Sequence, residues 1–252
     1  MKKTIIISTL LLASAASYAQ NPIITTSYTP DPAPYVHGDK LYMFTGHDED
    51  DATYFKMNDW QVFSTEDMVN WTYLGTPIST ETFKWAFHGD RAWASQAIER
   101  NGKWYWYVCL NDAEKHDVLA VAVADDPQGP YVDAIGGPLA TGWSFIDPTV
   151  FIDDDGQAYM YWGGVQQAKL KDNMLELATK PEFVNDLPKK GLKEGPFPFK
   201  RNGKYYLTFP WVRKNVEALA YAMGPTPTGP WDFKGVIMDE SPVGCWTNHH
   251  SI

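Results

Sequence analysis

Three acids stand at the mouths of apolar strands, where nothing in strand chemistry asks for a charge. Asp31 opens "DPAPYVHGDKLYMF", Asp147 opens "DPTVFIDDDGQAYMYW", and Glu194 opens "EGPFPFKRNGKYYLTF". Each is followed within two residues by proline, and then by a run of apolar and aromatic side chains. Carboxylates gathered in a cleft repel one another and lose hydration, so such a meeting costs stability. It is useful in one setting. Two carboxyl groups across a glycosidic bond supply the proton for the leaving oxygen and the base that activates water. A third carboxyl beside the acid raises its pKa and orients it.

For that chemistry the three acids must meet, and a repeat in the chain supplies the means. A fourth segment, "ASQAIERNGKWYWYV" from Ala94, shares the same order of features: a small or acidic opening, an apolar strand, a polar turn with Gly, an aromatic strand. The turns "HGDK", "RNGK", "DDDGQ" and "RNGK" are hairpin chemistry, because Asn and Gly tolerate positive φ. A second phrase is interleaved as "VFSTEDMVNWTYLG", "VAVADDPQGPYVDAIG" and "LAYAMGPTPTGPWDFKG", an alternating strand leading through a turn to an aromatic residue. Each unit thus offers about four strands. The openings at residues 31, 94, 147 and 194 are spaced by 63, 53 and 47 residues. No stretch sustains a capped helical period. Such repeats predict an all-β propeller. The first strand of each blade lies nearest the axis, so the residues of this slot converge at one end: Asp31, Ala94 flanked by Trp93, Asp147 and Glu194. The closing "CWTNHHSI" reads as the opening of a further unit, with His249 and His250 in the slot.

The bulk numbers agree with a single large domain. The chain has 252 residues, among them 11 Trp, 14 Tyr and 12 Phe. Aromatic side chains suit strands, and they also make platforms for sugars. Lys2 and Lys3, the apolar stretch Ile5 to Leu12 and the small-x-small site Ser17-Tyr18-Ala19 read as a secretory leader over residues 1–19, cleaved after Ala19. Residues 20–252 are then the propeller, in a secreted or periplasmic protein. Loss of the leader removes two lysines and no acid, taking the formal charge from −10 to −12. That acidity argues against nucleic acid as a partner. Nothing after the leader is long and apolar enough for membrane insertion. Cys109 and Cys245, the two cysteines, either pair or stay buried and free; there is no disulfide framework. The acidic run at Asp153 lacks the spaced ligands of a calcium loop and reads as a hairpin turn.

The combination of "TPDPAP", "FIDPTVFIDDDGQAYMYWG", "EGPF" and "NHHS" closely resembles glycoside hydrolase family 43, over nearly the whole mature chain. The resemblance implies a five-bladed β-propeller, here with four blades complete and the fifth only begun. It also implies roles: Asp31 as the general base, Glu194 as the general acid, Asp147 as the residue that tunes the acid and orients substrate, with inversion at the anomeric carbon. The stretches "YMFTGHDEDDATYFKMNDWQVFSTEDMVNW" and "AWASQAIERNGKWYWYV" are most similar to members acting on arabinoxylan side chains or xylo-oligosaccharides. By that likeness Trp93 walls the sugar pocket, with His47 and His250 as further substrate contacts. Family members often hold Ca²⁺ in the central channel through a histidine, for which His250 is the best match and His249 the second; no other cofactor is required. The expected protein is an exported monomeric glycosidase that releases arabinofuranose or xylose from plant-wall polysaccharide or oligosaccharide. Two alternatives stand beside it: an endo-arabinanase or galactan-active relative, and a carbohydrate-binding propeller without turnover. Fructan-cleaving propellers fit less well, since Ile146-Asp147-Pro148 and Glu194-Gly195 stand where those carry Arg-Asp-Pro and Glu-Cys.

Overall fold

A computed structural model describes residues 22–142, 144–241 and 246–252. Four antiparallel sheets follow one another along the chain. The first holds β1 (Ala33–His37), β2 (Lys40–Asp48), β3 (Met57–Thr65) and β4 (Thr72–Ser79) in that order. The second holds β5 (Ser95–Arg100), β6 (Lys103–Asn111), β7 (Asp117–Ala124) and β8 (Val132–Asp133), with β9 (Ala140–Thr141) also on β7. The third holds β10 (Thr149–Ile152), β11 (Ala158–Trp162), β12 (Gln166–Lys169) and β13 (Glu182–Phe183). The fourth holds β14 (Phe197–Arg201), β15 (Lys204–Val212), β16 (Glu217–Gly224) and β17 (Asp232–Met238). Strand order equals chain order in each sheet, the meander of a propeller blade.

The local chemistry explains the hairpins. Asn101-Gly102 and Asn202-Gly203 both take positive φ at each central residue, the mirror-image turn whose twist matches the strands it joins. The run at Asp153 is a turn, as its sequence indicates: Gly156 N–H closes it on the Asp153 carbonyl at 2.8 Å. Lys200 of β14 bonds Asp153 and Asp154 at 2.9 Å each, and Tyr205 bonds Asp153 at 2.6 Å, so this acidic tip clips the third blade to the fourth.

Period-two alternation builds the core between blades. From β6, Trp104, Trp106 and Val108 pack towards Phe44, Trp60 and Val62 of the first blade. Tyr107 and Cys109 point the other way, towards Val150, Met160 and Trp162 of the third. Tyr159 and Tyr161 then meet Leu207, Phe209 and Ala220 of the fourth. Each inner sheet is therefore apolar on both faces, which is why its strands read as nearly continuous hydrophobic runs. The innermost strands are tied by Gln96 of β5, whose side chain accepts from Val150 N–H at 2.6 Å and donates to its carbonyl at 3.2 Å.

The fifth blade expected from the sequence is not begun among the described residues. Residues 246–252 form no strand. The segment spends its hydrogen bonds elsewhere: the Trp246 carbonyl accepts from Glu217 N–H at 3.0 Å, and Ser251 donates to the Pro32 carbonyl. It lies across the start of β16 and reaches back to the first blade. The leader and the Cys245 half of the cysteine question fall outside the described residues. Cys109 is buried, with Sγ 3.4 Å from the Ala94 carbonyl.

Candidate active site

Strand register shows which residues share the slot before each inner strand. Ala33, Gln96, Thr149 and Phe197 pair with Phe44, Tyr107, Tyr161 and Thr208, so they are equivalent. Two residues earlier stand Asp31, Ala94, Asp147 and Gly195. Ala94 holds the slot of the second blade, as its sequence indicates, and Trp93 stands just before it. Glu194 precedes its slot by one residue. The cause is backbone conformation: Asp31 and Asp147 adopt φ of 55° and 54°, and Gly195 takes φ of 48° in the same place. Strain of this kind in two aspartates is tolerated where the surroundings over-determine it, as at functional sites. At the fourth blade glycine carries the turn and the acid moves one position back. A Cβ on Gly195 would sit 3.0 Å from His249 Nδ1 and 3.3 Å from Pro210, so the turn also needs the space.

The displacement does not separate the acids. Asp31, Asp147 and Glu194 line one cavity of about 220 Å³, with Phe55, Met57, Trp93, Ile146 and Trp246 among its walls. The Asp147 carboxylate accepts from Gly195 N–H at 3.1 Å, which fixes the two acid-bearing turns against each other. Trp93 is held on both sides. Its indole donates to the Phe55 carbonyl at 3.1 Å, and the Arg91 guanidinium lies over its ring at 4.3 Å. Trp60, wholly buried, donates to the Trp93 carbonyl at 2.7 Å, so the core itself sets the position of this wall. Phe55 and Trp246 keep 51% and 47% of their surface exposed at the rim.

Burial dominates the electrostatics. It raises the Asp31 carboxyl above its ordinary value, against the pull of His249, whose Nδ1 lies 3.9 Å away. Asp147, 8% exposed, is pushed up to about 6 by burial and by the Asp31 charge, with His249 again opposing. Glu194 is pushed up to about 7 by burial first and then by the Asp147 and Asp31 charges. Glu194 therefore keeps its proton to higher pH than Asp147, as a proton donor requires.

His47 is not a wall of this cavity. Its ring turns to β3, with Nδ1 2.8 Å from Asp59, because the β2–β3 pairing sets the two side chains against each other. His249 lines the cavity; His250 does not. His250 contacts Thr208 Oγ1 through Nε2, and burial pushes its pKa down to about 3, leaving a neutral ring. Its Nδ1 is buried without a hydrogen-bond partner, a donor that a cation could use. Calcium, however, takes six to eight oxygens. Among the described residues no group of three or more His, Cys, Asp or Glu is arranged to hold a metal ion. The described residues do not build a calcium site by themselves.

Sequence reasoning missed Phe55, Met57, Ile146, Trp246 and Asn248 as cavity residues, and Glu217 behind them. Phe55 and Trp246 lie in loops with no periodicity. Glu217 was concealed by the apolar run "ALAYAM" that it precedes.

A β-propeller with three converging carboxyls and aromatic walls at the mouth of its inner strands is the architecture of a carbohydrate-cleaving enzyme. The chain belongs to glycosyl hydrolases family 43, whose family model matches residues 19–251, and it is a glycosidase. It is 32% identical to a xylosidase/arabinosidase of Bacteroides ovatus, over 91% of this chain and 83% of that protein. It is likewise 32% identical to a β-xylosidase of Xylanibacter ruminicola, over 91% and 85%. Among solved structures, a β-xylosidase/α-arabinofuranosidase from a compost microbial metagenome, in complex with xylotriose in a calcium-free form, superposes with a TM-score of 0.81. The identity is 29%, covering 93% of this chain and 84% of that one.

Proposed function

We propose that the protein removes single xylosyl or arabinofuranosyl residues from xylan or arabinoxylan, with Glu194 as general acid, Asp31 as general base and Asp147 between them. One observation carries this reading: the three acids share a cavity of about 220 Å³, room for one pentose ring rather than a run of them. Glu194 keeps a proton near neutrality because burial and two neighbouring carboxylates oppose its ionisation. It gives that proton to the leaving oxygen as the glycosidic bond breaks. Asp31, beside His249, takes a proton from the water that attacks the opposite face of the ring. Asp147 keeps its charge near Glu194 and its carboxylate on Gly195 N–H, so it supports both the proton affinity and the position of the acid. Trp93 offers a flat apolar face for the sugar ring. The leader reading supports export, to where such polysaccharide is met.

The test is the product profile on xylo-oligosaccharides and on arabinoxylan, with the anomeric configuration followed by NMR. Free pentose with initially inverted configuration is expected. Release of oligosaccharides from within the chain would reject the single-residue reading, and initial retention would reject Asp31 as the water-activating base.

A further inference from the structure

Glu217 is the first residue of β16 and only 1% exposed, although a free carboxylate is among the costliest groups to bury. Its surroundings are specific. One carboxyl oxygen, Oε2, accepts from Asn248 N–H at 2.8 Å. The Glu217 main chain donates to the Trp246 carbonyl at 3.0 Å and accepts from the Asn248 amide at 3.0 Å. Trp246 and Asn248 are walls of the acid cavity, so Glu217 is the post to which that wall is fastened.

The other oxygen, Oε1, is buried and receives no N–H or hydroxyl donor. The sheet explains what it faces. Lys193 pairs with Trp211, and Val212 pairs with Glu217, so the strand leading into Glu194, the end of β15 and the start of β16 lie side by side. The side chain within reach of Glu217 is the Glu194 carboxyl. Among the described residues no lysine or arginine pairs with either. Lys193, adjacent in sequence, directs its ammonium to the Pro188 and Gly191 carbonyls at 2.7 and 3.0 Å. The remaining charged groups about the pair are Asp147 and Asp31, which raise Glu194, and His249, which opposes on the Glu217 side.

We propose that Glu217 is a positioning residue for the acid: its carboxyl shares one proton with Glu194 and holds the Trp246–Asn248 wall against β16. Two touching carboxyls screened from water do not both ionise readily, so the first proton lost leaves one held between them. Consistently, Glu217 is pushed up to about 8 by burial and then by Glu194. The proposal rests on the reading of Glu194 as the general acid.

Glu217→Gln tests it. The amide oxygen can still accept from Asn248 N–H, so a merely structural Glu217 is replaced with little change. The shared proton is lost, and a neutral amide donor now favours ionised Glu194. The alkaline limb of kcat on xylobiose should move to lower pH by about one unit, with kcat at the acidic optimum retained. An unmoved limb overturns the proposal. A second measurement needs neither turnover nor a change at 217: ¹³C-labelled glutamate carboxyls followed through pH. Two resonances should titrate above pH 6, and Glu194→Gln should remove one and draw the other to lower pH. A Glu217 midpoint indifferent to that substitution also overturns it. The two readings fail differently. If Glu194→Gln turns over xylobiose at the wild-type rate, the acid assignment falls; if that variant is dead while Glu217→Gln keeps the wild-type pH profile, this proposal alone falls.

Discussion

In the proposed roles of general acid and general base, Glu194 and Asp31 meet different demands from substrate, and that difference is measurable. A general acid matters most when the leaving group is a poor one. A sugar hydroxyl must be protonated as it departs, whereas p-nitrophenolate leaves without help. Glu194→Gln should therefore lose about 10³-fold in kcat on xylobiose and far less on p-nitrophenyl xyloside. Asp31→Asn should lose activity on both, because water must be activated whatever departs. Steady-state kinetics on the two substrates decides this, and equal losses for Glu194→Gln would contradict its role. Both acids were evident in the sequence, since each interrupts a strand opening that needs no charge. Their offset was not evident. Counting back from Tyr42 and Tyr205 put Asp31 and Glu194 in one slot, and only strand register showed Gly195 in the place of Asp31 and Asp147.

Strands read well wherever alternation and turn chemistry coincide. Asn-Gly turns, aromatic second strands and the interleaved third strands were all legible, and the four sheets follow them. The two-residue strands β8, β9 and β13 were not, because they carry too little periodicity to be read, nor was the polar β12, whose QQAK lacks an apolar alternation. Neither was the tie between blades made by Gln96, an unremarkable polar residue in sequence that completes a strand-like pair of hydrogen bonds with Val150. Gln96→Leu leaves the Val150 N–H and carbonyl buried without those partners. It should cost roughly 2–6 kcal/mol in urea unfolding, about 1–3 kcal/mol for each of the two groups left unsatisfied. A loss below about 0.5 kcal/mol would mean that the innermost strands hold together without it.

The whole molecule is built with acids that resist ionisation, and its stability must reflect that. Asp147, Glu194 and Glu217 have folded-state values raised to about 6, 7 and 8 from ordinary values of 3.8, 4.5 and 4.5. For a raised acid the neutral form suits the fold. The unfolded chain ionises first, so stability falls as pH rises from about 4.5 and levels off above about 8. Asp112 and Asp153 are lowered by hydrogen bonds despite burial, so their contribution is lost only on further acidification. Calorimetry across pH 4 to 9 should find Tm greatest near pH 4.5 to 5 and falling towards pH 8. Glu194→Gln and Glu217→Gln should each flatten that fall and raise Tm at pH 8. A wild-type Tm that climbs across this interval would show that the acids are better solvated than their burial implies. A site that lowers stability at neutral pH is the expected cost of holding a proton where chemistry needs it.

The sequence by itself determined the repeat, the all-β blade and the three acids, because each is written locally: in turn residues, in period-two alternation, and in charges set where strands do not want them. Tertiary structure decided the rest. It put Gly195 rather than Glu194 in the fourth slot, turned His47 to Asp59 and away from the cavity, laid residues 246–252 across β16, and set Glu217 against Glu194. These are contacts between segments far apart along the chain. They depend on register and burial, which no single stretch of residues encodes.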